Sequence, residues 1–301
     1  MECFEAMQQE FKNAGIPFFC GEPLARHTSF RIGGPAALFC TPRSTGELVR
    51  AVGLCRRHAA RYYLLGRGSN LLFRDEGFDG VVISTCEMRE EIVVKQNCIT
   101  ASSGVSLNRI CRAAAEHSLT GLEFAYGIPG SLGGAVYMNA GAYGGEMSGV
   151  LHTVTFLDGE GRILTKPAGQ LELGYRASLF SRTGWCVLKA ELCLEPGERE
   201  TINAKMEQLL NRRREKQPLE YPSAGSTFKR PEGAFAGALI EQSGLRGAQM
   251  GGAAVSEKHC GFIVNLGGAT CADVLALAER VQQVVKERTG YMLEKEIRVV
   301  E

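Results

Sequence analysis

Leu48, Ala51, Val52 and Cys55 recur at helical spacing behind Ser44-Thr-Gly-Glu47, whose residue types predict a capping box and a helix start. The apolar runs Tyr62–Leu65 and Gly80–Ile83 read as strands, with Gly66-Arg-Gly-Ser-Asn70 following the first. From residue 87 to about 200 the period shortens. Strands are predicted at Glu91–Val94, Ile99–Ser102, Thr153–Leu157, Arg162–Thr165 and Cys186–Cys193, with a hairpin turn at Asp158-Gly-Glu-Gly161. One helix, Leu107–His117, interrupts them, and residues 127–145 read as a glycine-rich loop. Helical spacing returns at Thr201–Lys216, where Ile202, Met206, Leu209 and Leu210 face inward. A helix around Ala238–Ser243, a strand at Gly261–Asn265 and a long helix over Ala272–Arg288 follow, the last opened by Thr270 and Asp273 and closed by Gly290. Residues 294–301 alternate as a strand, with Glu294, Glu296 and Arg298 on one face.

Length and charge narrow the classes. The 301 residues suffice for two or three cores. A net charge of +1 gives no field that would gather nucleic acid or an anionic membrane, and no apolar run reaches the ~20 residues that span a bilayer. Met1-Glu-Cys-Phe-Glu has neither basic nor apolar leader character, so a cytoplasmic protein is expected. The 11 cysteines are scattered without a Cys-x-x-Cys pair, which predicts buried free thiols in a reducing compartment and no metal site.

Four segments carry candidate chemistry. Gly66-Arg-Gly-Ser-Asn70 offers backbone amides and two polar side chains to a pyrophosphate, or is a plain strand-terminal turn. It is neither a Rossmann fingerprint, because Leu71 stands where the third glycine belongs, nor a Walker loop. Seven glycines fall within the 19 residues from 127 to 145, suited to a flavin with its diphosphate or to close-packed strands. Arg176, set among aromatics in Gly174-Tyr-Arg-Ala-Ser-Leu-Phe180, needs an anionic partner from substrate or protein. Ser226, in Ala-Gly-Ser-Thr-Phe-Lys between Pro222 and Pro231, either presents its hydroxyl to a ligand or bonds nearby backbone.

In order, these segments resemble the UDP-N-acetylenolpyruvoylglucosamine reductase (MurB) family. The resemblance rests on His27-Thr-Ser-Phe-Arg-Ile-Gly-Gly-Pro-Ala36, Gly-Arg-Gly-Ser-Asn70, Gly-Ile-Pro-Gly130, Asn-Ala-Gly-Ala-Tyr-Gly144, Gly-Tyr-Arg-Ala-Ser178, Ala-Gly-Ser-Thr-Phe-Lys229 and Leu-Glu-Lys-Glu-Ile-Arg298. It extends from about residue 20 to the C-terminus. It implies an α+β chain: a two-part FAD-binding module of the vanillyl-alcohol-oxidase (PCMH) type plus a C-terminal α/β substrate-binding domain. The implied segments are 1–85 and 86–205 for FAD, 206–290 for the UDP-sugar, and 291–301 as a strand returning to the FAD domain and active site. It implies non-covalent FAD, NADPH as cosubstrate, and reduction of UDP-N-acetylenolpyruvoylglucosamine to UDP-N-acetylmuramate in peptidoglycan precursor synthesis.

The residues matching the family's catalytic trio are Arg176, Ser226 and Glu296. FAD contacts are implied at Gly66, Arg67, Gly68, Ser69, Asn70, Leu71, Ile128, Pro129, Gly130, Ser131, Gly134, Asn139, Ala140, Gly141 and Arg298. Substrate contacts are implied at Tyr175, Arg213, Lys216, Arg230 and His259, with Arg213 and Lys216 on the UDP diphosphate. Fifty positions separate Arg176 from Ser226, so the chain resembles the short form, without the inserted tyrosine loop. Arg230 and His259 stand where the long form has Asn and Gln. Two other readings are a different FAD oxidoreductase of the same fold and a non-catalytic UDP-sugar sensor.

Overall fold

The computed structural model describes residues 2–89 and 91–301, apart from the side chains of residues 2 and 3. The chain divides into two compact units, each gathered from three segments: Met1–Phe19, Leu38–Arg67 and Gly80–Arg213 in one, Cys20–Ala37, Gly68–Asp79 and Arg214–Glu301 in the other. The segmentation at 85, 205 and 290 expected from the resemblance runs consecutively along the chain, whereas these compact units interleave. Within the second unit, strand pairing of Arg298–Val300 with Leu71–Phe73 and the Ser29 Oγ bond to Ser223 O join segments distant in the chain.

In the first unit, helices α1 (Glu2–Asn13) and α2 (Thr45–Arg57) share a core of Met7, Phe11, Leu48, Val52, Val81 and Ile83. Strand Tyr62–Leu65 pairs in parallel with Phe78–Ser84. At the start of α2, Ser44 Oγ accepts the Glu47 amide at 3.2 Å, as the sequence predicts. The Glu47 carboxylate, however, takes the Arg43 amide at 2.8 Å, one residue before the reciprocal partner of a capping box.

A five-stranded antiparallel sheet follows, in the order Ile163–Pro167, Leu151–Leu157, Cys186–Cys193, Cys98–Ser102, Ile92–Lys95. Helices α3 (Leu107–Glu116), α4 (Leu132–Met138) and α5 (Leu179–Thr183) and the long α6 (Arg199–Lys216) supply Ile110, Leu132, Phe180 and Met206 to its core. Helix α4 lies inside the stretch expected to be loop. Its two internal glycines hid it, because glycine disfavours helix by about 1 kcal/mol relative to alanine.

Cysteine usage also departs from expectation. Cys98 and Cys193 are cross-strand partners in the antiparallel register and form a disulfide, with Cα atoms 4.1 Å apart. A separation of 95 residues concealed the pair; facing positions on neighbouring strands create it. Cys40, Cys55, Cys111, Cys186, Cys260 and Cys271 are buried free thiols as expected, while Cys20 and Cys86 are exposed. Cys3 lies outside the described side chains.

The turn at Asp158 supplies a pH-dependent element. The carboxylate is buried and accepts the amides of Glu160 and Arg162, each at 2.9 Å, and Arg162 Nε at 2.8 Å. Burial pushes its pKa up, but these hydrogen bonds outweigh burial and hold it down at about 2. A depressed carboxylate stabilises the fold above its unfolded value near ~3.9 and ceases to do so as pH falls through the folded value. Thermal stability of the protein is therefore expected to decline between about pH 4 and pH 2. Asp158→Asn should lower the melting temperature at pH 7 and flatten this slope; an unchanged slope would mean other carboxylates set it.

In the second unit, α7 (Ala236–Gln242) and α8 (Cys271–Thr289) pack with a three-stranded antiparallel sheet of Gln249–Met250, Ala253–Val255 and Ile263–Asn265. Phe30, Leu72, Phe228, Ile240, Val255, Leu277 and Val281 share this core. Helix α8 begins with the reciprocal Thr270–Asp273 box and ends at Gly290 in the left-handed conformation, φ 78°. Asp75, from a distant segment, also caps it, accepting the Cys271 and Ala272 amides at 2.8 and 3.1 Å. The C-terminal strand is shorter than its alternation suggests: Arg298–Val300 pairs in parallel with Leu71–Phe73. Among the described residues no helix is long and apolar enough to cross a membrane.

Candidate functional site

The loop after strand Tyr62–Leu65 has an uneven hydrogen-bond account. Three of its carbonyls are held: Gly66 O receives Cys86 Sγ at 3.2 Å, Gly68 O the Ser29 amide at 3.2 Å, and Asn70 O the Arg298 amide at 3.0 Å. The amides of Gly66, Arg67, Gly68 and Ser69 donate to no group among the described residues. Successive unspent N–H groups around a left-handed residue form an anion-binding nest. Gly68 supplies that residue, with φ 60°. The donor set fits the diphosphate of a dinucleotide such as FAD. Gly68 itself has a second cause, since a Cβ there would lie 2.1 Å from the His27 carbonyl oxygen.

The glycine-rich stretch behaves differently. At the start of α4, the Leu132 amide goes to Val105 O, the Gly133 amide to Ser103 O, and the Gly134 amide to Ser131 Oγ. Ile128, Gly130 and Ala140 likewise donate within the protein. Here glycine serves close packing: a Cβ on Gly133 would approach Ser103 Cβ to 2.9 Å. Ser103 was not singled out in the sequence. It is buried and its hydroxyl has no partner among the described residues, a polar group suited to a ligand atom beside residues 131–134. The carbonyl of Gly127 accepts the Arg213 guanidinium, whose pKa burial lowers. Arg213 thus braces the Gly127–Gly130 turn.

Arg176 sits at the tip of a tight turn closed by reciprocal bonds between Gly174 and Ala177, at 3.0 and 3.1 Å. Its φ is 55°, a left-handed conformation that a long L side chain adopts only when its surroundings enforce it. Asn139 supplies part of that enforcement. It is fully buried, its amide nitrogen donates to Gly174 O at 3.0 Å, and its oxygen accepts the Ser148 amide at 2.8 Å. Asn139, expected from the resemblance to contact the cofactor, has its side chain engaged in holding the Arg176 turn. The Arg176 guanidinium reaches Gly141 O at 3.1 Å and lies 5.0 Å from the ring centre of half-exposed Tyr175.

In the second unit, residues 227–229 run antiparallel to 294–296. The Glu296 amide donates to Thr227 O and the Lys229 amide to Glu294 O, both at 2.8 Å. Ser226 and Glu296 are thereby brought onto one short ribbon. Asn70 Nδ2 adds a bond to Glu296 O at 3.2 Å. Ser29 Oγ donates to Ser223 O at 2.6 Å, so one residue of the His27–Ala36 motif holds both the Gly68 loop and the Ser226 turn. Ser226 is partly exposed, and no hydrogen bond engages its hydroxyl among the described residues.

The remaining candidates differ in commitment. His259 Nδ1 accepts the Gly261 amide at 3.1 Å, which leaves the proton of the neutral ring on Nε2, and burial lowers its pKa. Arg230 stacks 4.0 Å over the ring of exposed Phe235. Lys216 is exposed at the last residue of α6. Arg176 and Arg213 belong to the first unit, and Ser226, Lys216, Arg230, His259 and Glu296 to the second.

Residues 36–166 match the model of an FAD-binding domain family, and residues 217–300 that of the C-terminal domain of UDP-N-acetylenolpyruvoylglucosamine reductase. A Clostridium perfringens protein of that reductase name is 50% identical over 278 residues, 92% of this chain and 91% of its own. One from Lachnoclostridium phytofermentans is 49% identical over 285 residues, 93% and 92% of the two chains. The crystal structure of UDP-N-acetylenolpyruvylglucosamine reductase (MurB) from Thermus caldophilus is similar at a TM-score of 0.80, with 36% identity over 95% of this chain and 99% of that one.

Proposed function

This chain belongs to the UDP-N-acetylenolpyruvoylglucosamine reductase family, and we propose that it performs the NADPH-dependent reduction of UDP-N-acetylenolpyruvoylglucosamine to UDP-N-acetylmuramate through bound FAD. The reaction serves peptidoglycan precursor synthesis and belongs in the cytoplasm, where NADPH is made. The observation that carries this reading is the ribbon joining Ser226 to Glu296, with the serine hydroxyl uncommitted.

FAD, when bound, supplies to the substrate methylene carbon the hydride it has taken from NADPH. The protein must manage the charge and the proton. Hydride addition to an enol ether of a carboxylate leaves negative charge on the α-carbon and its carboxylate. The Arg176 guanidinium, fixed by its turn, offers charge-assisted hydrogen bonds to that carboxylate, and Glu296 is assigned to the same reacting end of the substrate. The Ser226 O–H donates its proton to the α-carbon, which as an enolate carbon is basic enough to take it. The amides of residues 66–69 would hold the FAD diphosphate, and Arg298, whose amide bonds Asn70 O, would serve the same cofactor.

Stopped-flow spectroscopy tests the reading: NADPH should bleach the flavin, and the enolpyruvyl sugar nucleotide should restore its colour. Failure of the second step would refute it. Lys216→Ala removes a cation assigned to the UDP diphosphate, so KM for the sugar nucleotide should rise about tenfold with NADPH-driven bleaching unchanged. Arg213→Ala also frees Gly127 O, so it should disturb both half-reactions and lower flavin content. An Arg213 variant altered only in KM would confine that residue to the substrate.

A further inference from the structure

Thr227 lies between Ser226 and the buried Phe228, is itself buried, and spends its amide, carbonyl and hydroxyl on two segments distant in the chain. Its amide donates to Gly261 O at 2.8 Å. Its carbonyl accepts the Glu296 amide at 2.8 Å, with the Ile297 amide at 3.5 Å. Its Oγ1 accepts the Ile263 amide at 2.9 Å. One residue therefore ties the Ser226 turn to strand Ile263–Asn265 on one side and to the backbone of Glu296 on the other.

We propose that Thr227 is a positioning residue for the reduction, setting Ser226 and Glu296 in register through its buried hydroxyl–amide bond to Ile263. The inference rests on the functional reading above. The side-chain bond adds a second tie to this segment beside the Thr227 amide bond to Gly261 O, and it is the tie that a substitution can remove while leaving the backbone bonds in place. Valine matches threonine in shape but cannot accept the Ile263 N–H, which then stays buried without a partner. The ribbon must shift to relieve that amide. Small displacements of a reacting group cost rate steeply: about 1 Å is worth about 100-fold.

The test uses the FAD holoenzyme and separates the half-reactions. In Thr227→Val, flavin reduction by NADPH should stay within about twofold of the parent, while reoxidation by the enolpyruvyl sugar nucleotide slows by about 10- to 100-fold. The solvent deuterium isotope effect on reoxidation should rise, because proton delivery from a displaced Ser226 becomes more rate-limiting. Thr227→Ser, which keeps the acceptor, should restore most of the rate. If Thr227→Val gives no holoenzyme, Thr227→Cys, whose sulfur is a weak acceptor, should show the same split. Unchanged reoxidation, equal slowing of both half-reactions, or no rescue by serine would each overturn the inference. A parent enzyme that is reduced but never reoxidised by this substrate would overturn the functional reading, and the inference with it.

Discussion

Ser226→Ala is expected to bind FAD and to be reduced by NADPH at near the parental rate, yet to return flavin colour about 10²- to 10⁴-fold more slowly with the enolpyruvyl sugar nucleotide. The asymmetry follows from the chemistry. A proton donor to the substrate α-carbon has no task while nicotinamide reduces the flavin. The structure makes the variant a clean one. The Ser226 hydroxyl holds no other group among the described residues, so its removal breaks no internal bond. The ribbon to Glu296 is made by the backbone of Thr227 and survives. Ser226→Cys keeps a protic group and should recover part of the rate. Normal reoxidation in a folded Ser226→Ala enzyme would leave the proton to water or Glu296.

Gly68→Val should abolish the folded protein whether or not FAD is supplied. A left-handed φ costs an L residue about 1–2 kcal/mol, and a β-branched one more. Steric overlap costs more still: the added Cβ falls 2.1 Å from His27 O and 2.8 Å from Thr28 Cα. Both neighbours are backbone and cannot rotate away. Against a net stability of about 5–15 kcal/mol, such an overlap is not tolerated. Soluble yield and thermal melting of the apoprotein are the measurements. A folded, colourless Gly68→Val protein would show that the backbone gives way and that glycine is kept there for the ligand alone.

What the sequence disclosed divides by the range of the interaction. Helix α8 was readable almost to the residue because its Thr270–Asp273 box and Gly290 end are local chemistry. Ser226, Arg176 and Glu296 were singled out through motif order, and the family to which that order pointed is the one shown by 50% identity over 278 residues. Helix α4 was missed because glycines at 133 and 134 are poor helix formers; distant carbonyls on Ser103 and Val105 take its first amides. Nothing in a single sequence pairs Cys98 with Cys193, or sets Asp75 at the start of α8, since both depend on which segments the fold brings together. Thr227 was equally silent. Its residue type is ordinary, and only its four bonds mark it.

The second unit takes its core from Phe30, Ile32 and Leu72 as well as from residues between 224 and 297. During synthesis, the early segment Cys20–Ala37 therefore emerges long before the side chains it packs against, and its apolar residues must be sheltered until then. Contacts of such sequence separation form slowly. A fragment limited to residues 217–300, the stretch matched by the C-terminal family model, would lack Phe30, Ile32, Leu72 and the Asp75 cap. It would expose the surface these groups cover and tend to aggregate. Dissection of this protein by its linear boundaries would separate pieces that are folded only in one another's company.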